Sequence, residues 1–311
     1  MNSLDWTKLQ RPLVCLAPMD GYTDSAYRRV CKEVNQNIIV FTEFTSADGL
    51  QHTAKKLQEK LRHDPDEKPI IAQIFGKNPD AFAEAARYCE QQGFDGVDLN
   101  MGCPARKVVK SEHGVALRKK PDLAFQLIET VVKATSLPVS VKTRLGWSSA
   151  DDLLAFARGV ESAGAALITV HGRTYNQGFS DQSDWHPIYE LKKQLCIPVI
   201  GNGDVKNISD GKAKHGNLDG FMIGRASMGN PWVFSEQPVP AFKDKIPLIL
   251  KHAQWLVELK GERIALLEIR KHLLAYVKGL PNASQYRSHL VRVKSINAIR
   301  DILNGITASI T

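Results

Sequence analysis

Gly96-Val97-Asp98-Leu99-Asn100-Met101-Gly102-Cys103-Pro104-Ala105-Arg106-Lys107 is a short apolar run that ends abruptly in a polar turn carrying a thiol. Gly96 to Leu99 reads as a buried strand. Gly102 and Pro104 then stop any regular element, so Cys103 is expected on a rigid loop at the strand's end. A free cysteine is more often a small buried hydrophobe than a reactive group. The rest of the chain decides between the two.

Working outward, the same grammar recurs seven more times, at Leu13 to Met19, Ile38 to Phe44, Ile70 to Phe75, Val139 to Leu145, Leu167 to His171, Val199 to Asn202 and Gly220 to Ile223. Continuous rather than alternating apolar character marks strands buried on both faces, as in a parallel sheet. Amphipathic segments of helix length separate them. Pro79 to Gln92 starts on an Asn78 cap with Pro at the first helical position and stops at Gly93, Pro121 to Ala134 has a leading Pro, and Asp151 to Ala163 ends at Gly164. Eight such units in about 230 residues predict an α/β fold, a (β/α)8 TIM barrel, rather than an open sheet. After Pro238-Val239-Pro240 the spacing is purely helical. The chain therefore divides into a barrel, 1–238, and a C-terminal all-helical segment, 239–311.

At 43% hydrophobic and 24% charged residues the composition is that of a soluble globular protein. No secretory leader pattern follows Met1 and no apolar run approaches bilayer length, so a cytoplasmic location is expected with no membrane partner. Cys15, Cys31, Cys89, Cys103 and Cys196 are odd in number and lack a Cys-x-x-Cys pair, which argues against disulfides and against a thiolate metal site. Of the net charge of +8, +7 falls on the last 69 residues, which hold twelve Lys or Arg against five Asp or Glu. Charge so concentrated suits a polyanion, nucleic acid before membrane.

In such a barrel the active site lies at the C-terminal ends of the strands. The runs close in turn with Pro18-Met19, Glu43, Gln73, Asn100 and Cys103, Lys142 and Arg144, His171 and Arg173, Asn202-Gly203-Asp204, and Gly224-Arg225. One polar residue at one strand end is weak; polar groups from all eight strands at one rim are not explained by packing. Gly201 to Asp204 and Gly224-Arg225 stand where barrels of this kind bind phosphate, glycines admitting backbone N–H groups and Arg225 adding a bidentate contact. Lys142 and His171 can donate hydrogen bonds to a ring that gains negative charge on reduction, which suits the N1 and O2 edge of a flavin. Gln73 and Asn100 can satisfy its remaining polar edge.

Six ordered motifs, Ala17 to Asp24, Asn100 to Lys107, Val139 to Trp147, Val170 to Thr174, Gly201 to Asp204 and Met222 to Arg225, resemble the signatures of the dihydrouridine synthases. Arg270-Lys271-His272-Leu273 and Tyr276-Val277-Lys278-Gly279 are similar to the bacterial branch that includes the B-type enzymes. The resemblance implies an FMN enzyme, with NADPH as reductant, that reduces C5=C6 of specific uridines in tRNA by hydride to C6 and a proton from Cys103 to C5. It implies Pro18, Met19, Gln73, Lys142, His171, Asn202, Gly203, Asp204, Gly224 and Arg225 around the cofactor. Glu43, Asn100, Arg106, Lys107, Arg144, Arg173, Arg270 and Lys271 then serve the RNA. No metal is expected, and the protein is expected to be a monomer.

A thiol with a pKa near 8.5 is protonated at neutral pH, as proton donation requires; Arg106 and Lys107 are expected to lower it somewhat. Two positions depart from the family pattern: Glu112-His113 stands where small residues are common, and Asp20 where Ala is. The alternatives are an FMN barrel acting on a small molecule, like dihydroorotate dehydrogenase, a degenerate barrel that only binds RNA, and the same chemistry on ribosomal RNA. Removal of residues 243 to 311 is expected to spare cofactor binding and weaken RNA binding.

Overall fold

The computed structural model describes residues 4–52 and 58–310; residues 1–3, 53–57 and 311, and with them the outer ends of both expected segments, lie outside the described residues. Nine parallel strands are described: β1 Leu13–Leu16, β2 Ile39–Phe41, β3 Thr45–Ser46, β4 Ile70–Phe75, β5 Gly96–Met101, β6 Val139–Arg144, β7 Leu167–His171, β8 Val199–Asn202 and β9 Gly220–Ile223. β1 pairs with β9 and with β2, and the β2–β4 pairing closes the ring, so eight staves form the barrel while β3 prolongs the second stave alongside β4.

The expected strands are found in place, with two ends shortened by three residues and two more, at Ile38 and Leu145, by one. β1 stops at Leu16, just short of Pro18, which has no N–H to continue the ladder. β2 stops at Phe41, where the Thr42 hydroxyl takes over as acceptor for the Gln73 amide at 2.9 Å. The helix after β4, Pro79–Gln91, carries the Asn78 cap, whose side chain accepts from Asp80 N. Pro121–Ala134 has the expected bounds, and the third crossover starts later than expected, at Leu153, and runs to Ser162.

Inside the ring, Cys15, Ile39, Phe41, Ile71, Leu167, Ile200 and Met222 form an apolar core, and Trp6 from the N-terminal segment packs into it. Outside it, one continuous apolar cluster joins the barrel helices to the C-terminal helices Phe242–Lys260, Glu262–Tyr276, Ala283–Leu290 and Ile296–Ile310. Tyr27 and Val30 of the first barrel helix, Ser25–Val34, share it with Ile249, Leu256 and Leu273. Lys260 clamps the junction, 2.8 Å from the buried cap Asp24 and 2.6 Å from Glu268. The basic tail is thus part of the packed structure. Removing residues 243 to 311 would open that apolar cluster to water, so the tail's role is better tested by changing its charges. No helix among the described residues is long and apolar enough to cross a membrane.

One buried ion pair fixes the first barrel helix to the loop before β4. Arg28 and Glu67 are fully buried; Glu67 accepts from Ser25 Oγ and Arg28 Nε, and Arg28 also donates to Thr23 O at 2.6 Å and Arg62 O at 2.8 Å. Removing one partner leaves a buried charge without a counterion. Arg28→Ala is expected to cost about 3–5 kcal/mol, read as a lower urea midpoint; a loss under about 1 kcal/mol would mean that water enters freely.

Candidate active site

β5 aligns Asn100 with Lys142 of β6, β6 aligns Arg144 with His171 of β7, and β7 aligns His171 with Asn202 of β8. The parallel register thereby sets the expected polar residues side by side at the C-terminal rim. They line a cavity of about 850 Å³. Pro18, Met19, Gln73, Asn100, Cys103, Lys142, Arg144, His171, Asn202, Gly203, Asp204, Gly224 and Arg225 all stand on its wall.

The thiol's loop is held from three sides. Asn100 Oδ1 accepts from the amides of Gly102 at 3.2 Å and Cys103 at 2.9 Å. Gly102 lies so close to β6 that a Cβ there would sit 3.0 Å from the Thr143 carbonyl carbon, which explains the glycine. Arg144 Nε donates to Gly102 O at 3.0 Å, and Val115 N to Cys103 O at 3.3 Å. The half-buried Cys103 thiol therefore faces the cavity from a fixed turn.

Burial pushes the Cys103 thiol above its ordinary pKa, although Arg144 and Lys142 pull it back. This corrects the expectation for Arg106 and Lys107. They lie on the exposed helix Arg106–Lys110, away from the cavity wall, and the cations that act on the thiol come from β6. Burial lowers the Lys142 ammonium to about 8, and Lys142 donates to Asn202 Oδ1 at 2.9 Å. Asn202 Nδ2 in turn donates to Met222 O at 2.8 Å, which fixes its carbonyl toward Lys142. Burial, aided by Lys142 and Arg144, pushes His171 well below its ordinary range, so its imidazole is neutral at pH 7. Its buried Nδ1 has no hydrogen-bond partner among the described residues.

Other expected residues are placed differently. Arg173 is buried, and its guanidinium donates to Ser180 O, Asp181 O and Asp204; it holds the β7 loop from beneath and does not line the cavity. Asp204 turns its carboxylate to Arg173 at 2.6 Å and Arg225 at 3.4 Å, so it aligns the two guanidinium groups. Glu43 is buried off the cavity wall and accepts from Gly21 N; burial, and Asp24 nearby, raise its pKa. Arg270 donates to Val293 O at 3.1 Å, and Lys271 lies over the Tyr22 ring; both are on the tail, outside the cavity. Of the two departures from the family pattern, Glu112 is tied to Lys77 at 3.0 Å and Lys120 at 2.5 Å, and Asp20 to Lys60 at 2.6 Å.

Several cavity residues escaped the reading of the sequence. Phe179 is 58% exposed at the mouth, with the Arg225 guanidinium 4.9 Å and the Arg144 guanidinium 5.4 Å from its ring. A lone aromatic in the polar stretch Asn176 to Asp181 was the available signal. Phe44, Lys206, Met228 and, from the tail, Lys278 also line the wall.

Fold and site together define a closed parallel barrel whose C-terminal rim presents one thiol to a cavity edged with cations. A family model described as dihydrouridine synthase (Dus) matches residues 15–308. A probable tRNA-dihydrouridine synthase 1 from Synechocystis is 36% identical over 94% of this chain and 85% of its own. The tRNA-dihydrouridine synthase B of Pasteurella multocida is 34% identical over 93% and 89%. The chain belongs to the dihydrouridine synthase family. In fold alone it is similar to a 2-naphthoyl-CoA reductase, with a TM-score of 0.58 and 12% identity, over 72% of this chain and 49% of that one.

Proposed function

We propose that the protein reduces the C5=C6 bond of uridines in tRNA to 5,6-dihydrouridine with FMN in the 850 Å³ cavity and NADPH as reductant. The observation that carries this reading is the arrangement of that cavity: a protonated thiol after β5 and, on the neighbouring strands β6 and β7, a cationic Lys142 and a neutral His171 whose buried Nδ1 has no hydrogen-bond partner among the described residues.

The residues present fit FMN. The Cβ position of Gly224 meets only Ala17 and Met19 at 3.5 Å or more, so the backbone after β9 is open to a phosphate beside Arg225 and Lys206, while Gly203, with a φ of +122°, packs its α-carbon against Ser183. Lys142 and His171 would hold the ring edge that becomes negative. When bound and reduced, FMN supplies a hydride to C6 of uracil. Cys103 gives the proton to C5; Asn100 and Arg144 hold its turn, and burial keeps it protonated.

Lys142 carries its charge below about pH 8 and loses it above. Stabilisation of a negative ring edge should therefore fade as pH rises through 8. Lys142→Met is expected to lower the rate of flavin reduction by NADPH by roughly tenfold at pH 7 and to remove this pH dependence; an unchanged profile would dismiss Lys142 from this role. For the reading as a whole, the test is incubation of the purified protein with FMN, NADPH and unmodified tRNA. Dihydrouridine should form; FMN binding without it would favour a small-molecule substrate, and formation only in ribosomal RNA would change the target.

The helical tail, residues 239–311, is in this reading the RNA-holding part. Lys278 at the cavity wall links it to the site. A uridine must leave its stack to reach a barrel mouth, at a cost of a few kcal/mol that phosphate contacts have to offset.

A further inference from the structure

Asp98 is fully buried on β5, two residues before Asn100, and lies outside every role given above. Its Oδ1 accepts from Ser140 Oγ at 2.7 Å and its Oδ2 from Gln73 Nε2 at 2.7 Å. Gln73 Oε1 accepts from Asn100 Nδ2 at 3.0 Å, and Asn100 Oδ1 accepts the amides of Gly102 and Cys103. The five residues Ser140, Asp98, Gln73, Asn100 and Cys103 form one unbroken line of hydrogen bonds from the barrel interior to the thiol's backbone.

The direction of every bond follows from the two ends. Backbone N–H groups only donate, so Asn100 must present its oxygen to Gly102 and Cys103 and its NH2 to Gln73. Gln73 must then answer with its oxygen and point its own NH2 at residue 98. What stands there has to accept. An ionised carboxylate only accepts, so it holds both amides in one orientation, whereas a group able to donate would permit the reverse. Burial raises Asp98 to about 6, and the bonds from Gln73 and Ser140 and the charge of Lys142 oppose the rise, so the carboxylate stays ionised at pH 7.

We infer that Asp98 is a positioning residue for the reaction: through Gln73 and Asn100 it sets the hydrogen-bond polarity that closes the Gly102-Cys103 turn and aims the thiol into the cavity. The value of the turn's closure for catalysis rests on the proposed reading; the polarity relay itself does not.

The test therefore reads backbone amide hydrogen exchange in the Gly102-Cys103 segment of the full chain, by mass spectrometry, with neither RNA nor cofactor. Asp98→Ala is expected to speed that exchange at least tenfold. Asp98→Asn is expected to stay within twofold of the parent, because its oxygen can still face Gln73 while its NH2 donates to the Ser140 hydroxyl. If Asp98→Asn opens the turn as far as Asp98→Ala, Asp98 acts by charge, and if neither opens it the line carries nothing; either result overturns the relay. A reversal of polarity covers the case in which Asp98→Ala does not fold. Asn100→Asp sets Gln73 between two carboxylates, one of which must face its oxygen, and should lower the melting temperature. Asp98→Asn with Asn100→Asp lets the bond between residue 98 and Gln73 and the bond between Gln73 and residue 100 run the other way, with Ser140 still donating to the side-chain oxygen at position 98, and should recover most of that loss. A double variant no more stable than Asn100→Asp alone would overturn the inference.

Discussion

Cys103→Ala is expected to reduce uridine at a rate roughly 10²–10⁴-fold below the parent, while FMN binding and flavin reduction by NADPH stay near their parent values. The thiol has no structural duty that alanine would break. It is half-buried at the rim, and its turn is held by backbone amides and carbonyls, which alanine retains. What disappears is a proton held where the substrate needs it. Burial sets the thiol above its ordinary pKa, so at neutral pH nearly all of it is protonated, the form a general acid must have and a nucleophile must not. The sign of the pH dependence follows. The parent's rate should fall as pH rises through the raised thiol pKa, and Cys103→Ala should lack that limb. Single-turnover reduction of tRNA uridine by the pre-reduced enzyme isolates the step; a variant rate within threefold of the parent would remove Cys103 from it.

The barrel was legible because a parallel strand buried on both faces leaves an uninterrupted apolar signal, and a C-terminal strand end leaves a polar one. Register then converts chain order into a ring, which is why Lys142, His171 and Asn202, widely separated in sequence, fall together on one rim from strand order alone. Side-chain direction was not legible in the same way. Arg144, Arg173 and Arg225 read alike as rim cations, yet Arg144 and Arg173 are 3% and 2% exposed and are committed to loop carbonyls, and only Arg225 is open. A guanidinium has five donors, and which carbonyls they find depends on loops whose path periodicity does not encode. Asp98 was invisible for a related reason: in an apolar run, a single acid looks like an interruption until the donors around it are seen.

Charge removal along the tail is expected to weaken tRNA binding on the order of a hundredfold in moderate salt while leaving the barrel intact. Lys278 stands on the cavity wall, and Lys271, two turns earlier on the same stretch, covers Tyr22 beside Gly21 at the barrel rim. Arg292 and Lys294 are exposed on either side of Val293, whose carbonyl Arg270 holds. None of these four makes an ion pair with a described residue, in contrast to Lys251 on Glu33 and Lys260 on Asp24. These four can turn to phosphate without breaking an ion pair, whereas Lys251 and Lys260 would first have to leave a carboxylate. Lys271→Ala, Lys278→Ala, Arg292→Ala and Lys294→Ala together should therefore reduce the slope of log affinity against log salt by about 0.9 for each phosphate that is no longer neutralised. The thermal midpoint should not move. The paired control Lys251→Ala should leave the slope unchanged. Equal slopes for the fourfold variant and the parent would show that RNA does not lie along these cations of the tail.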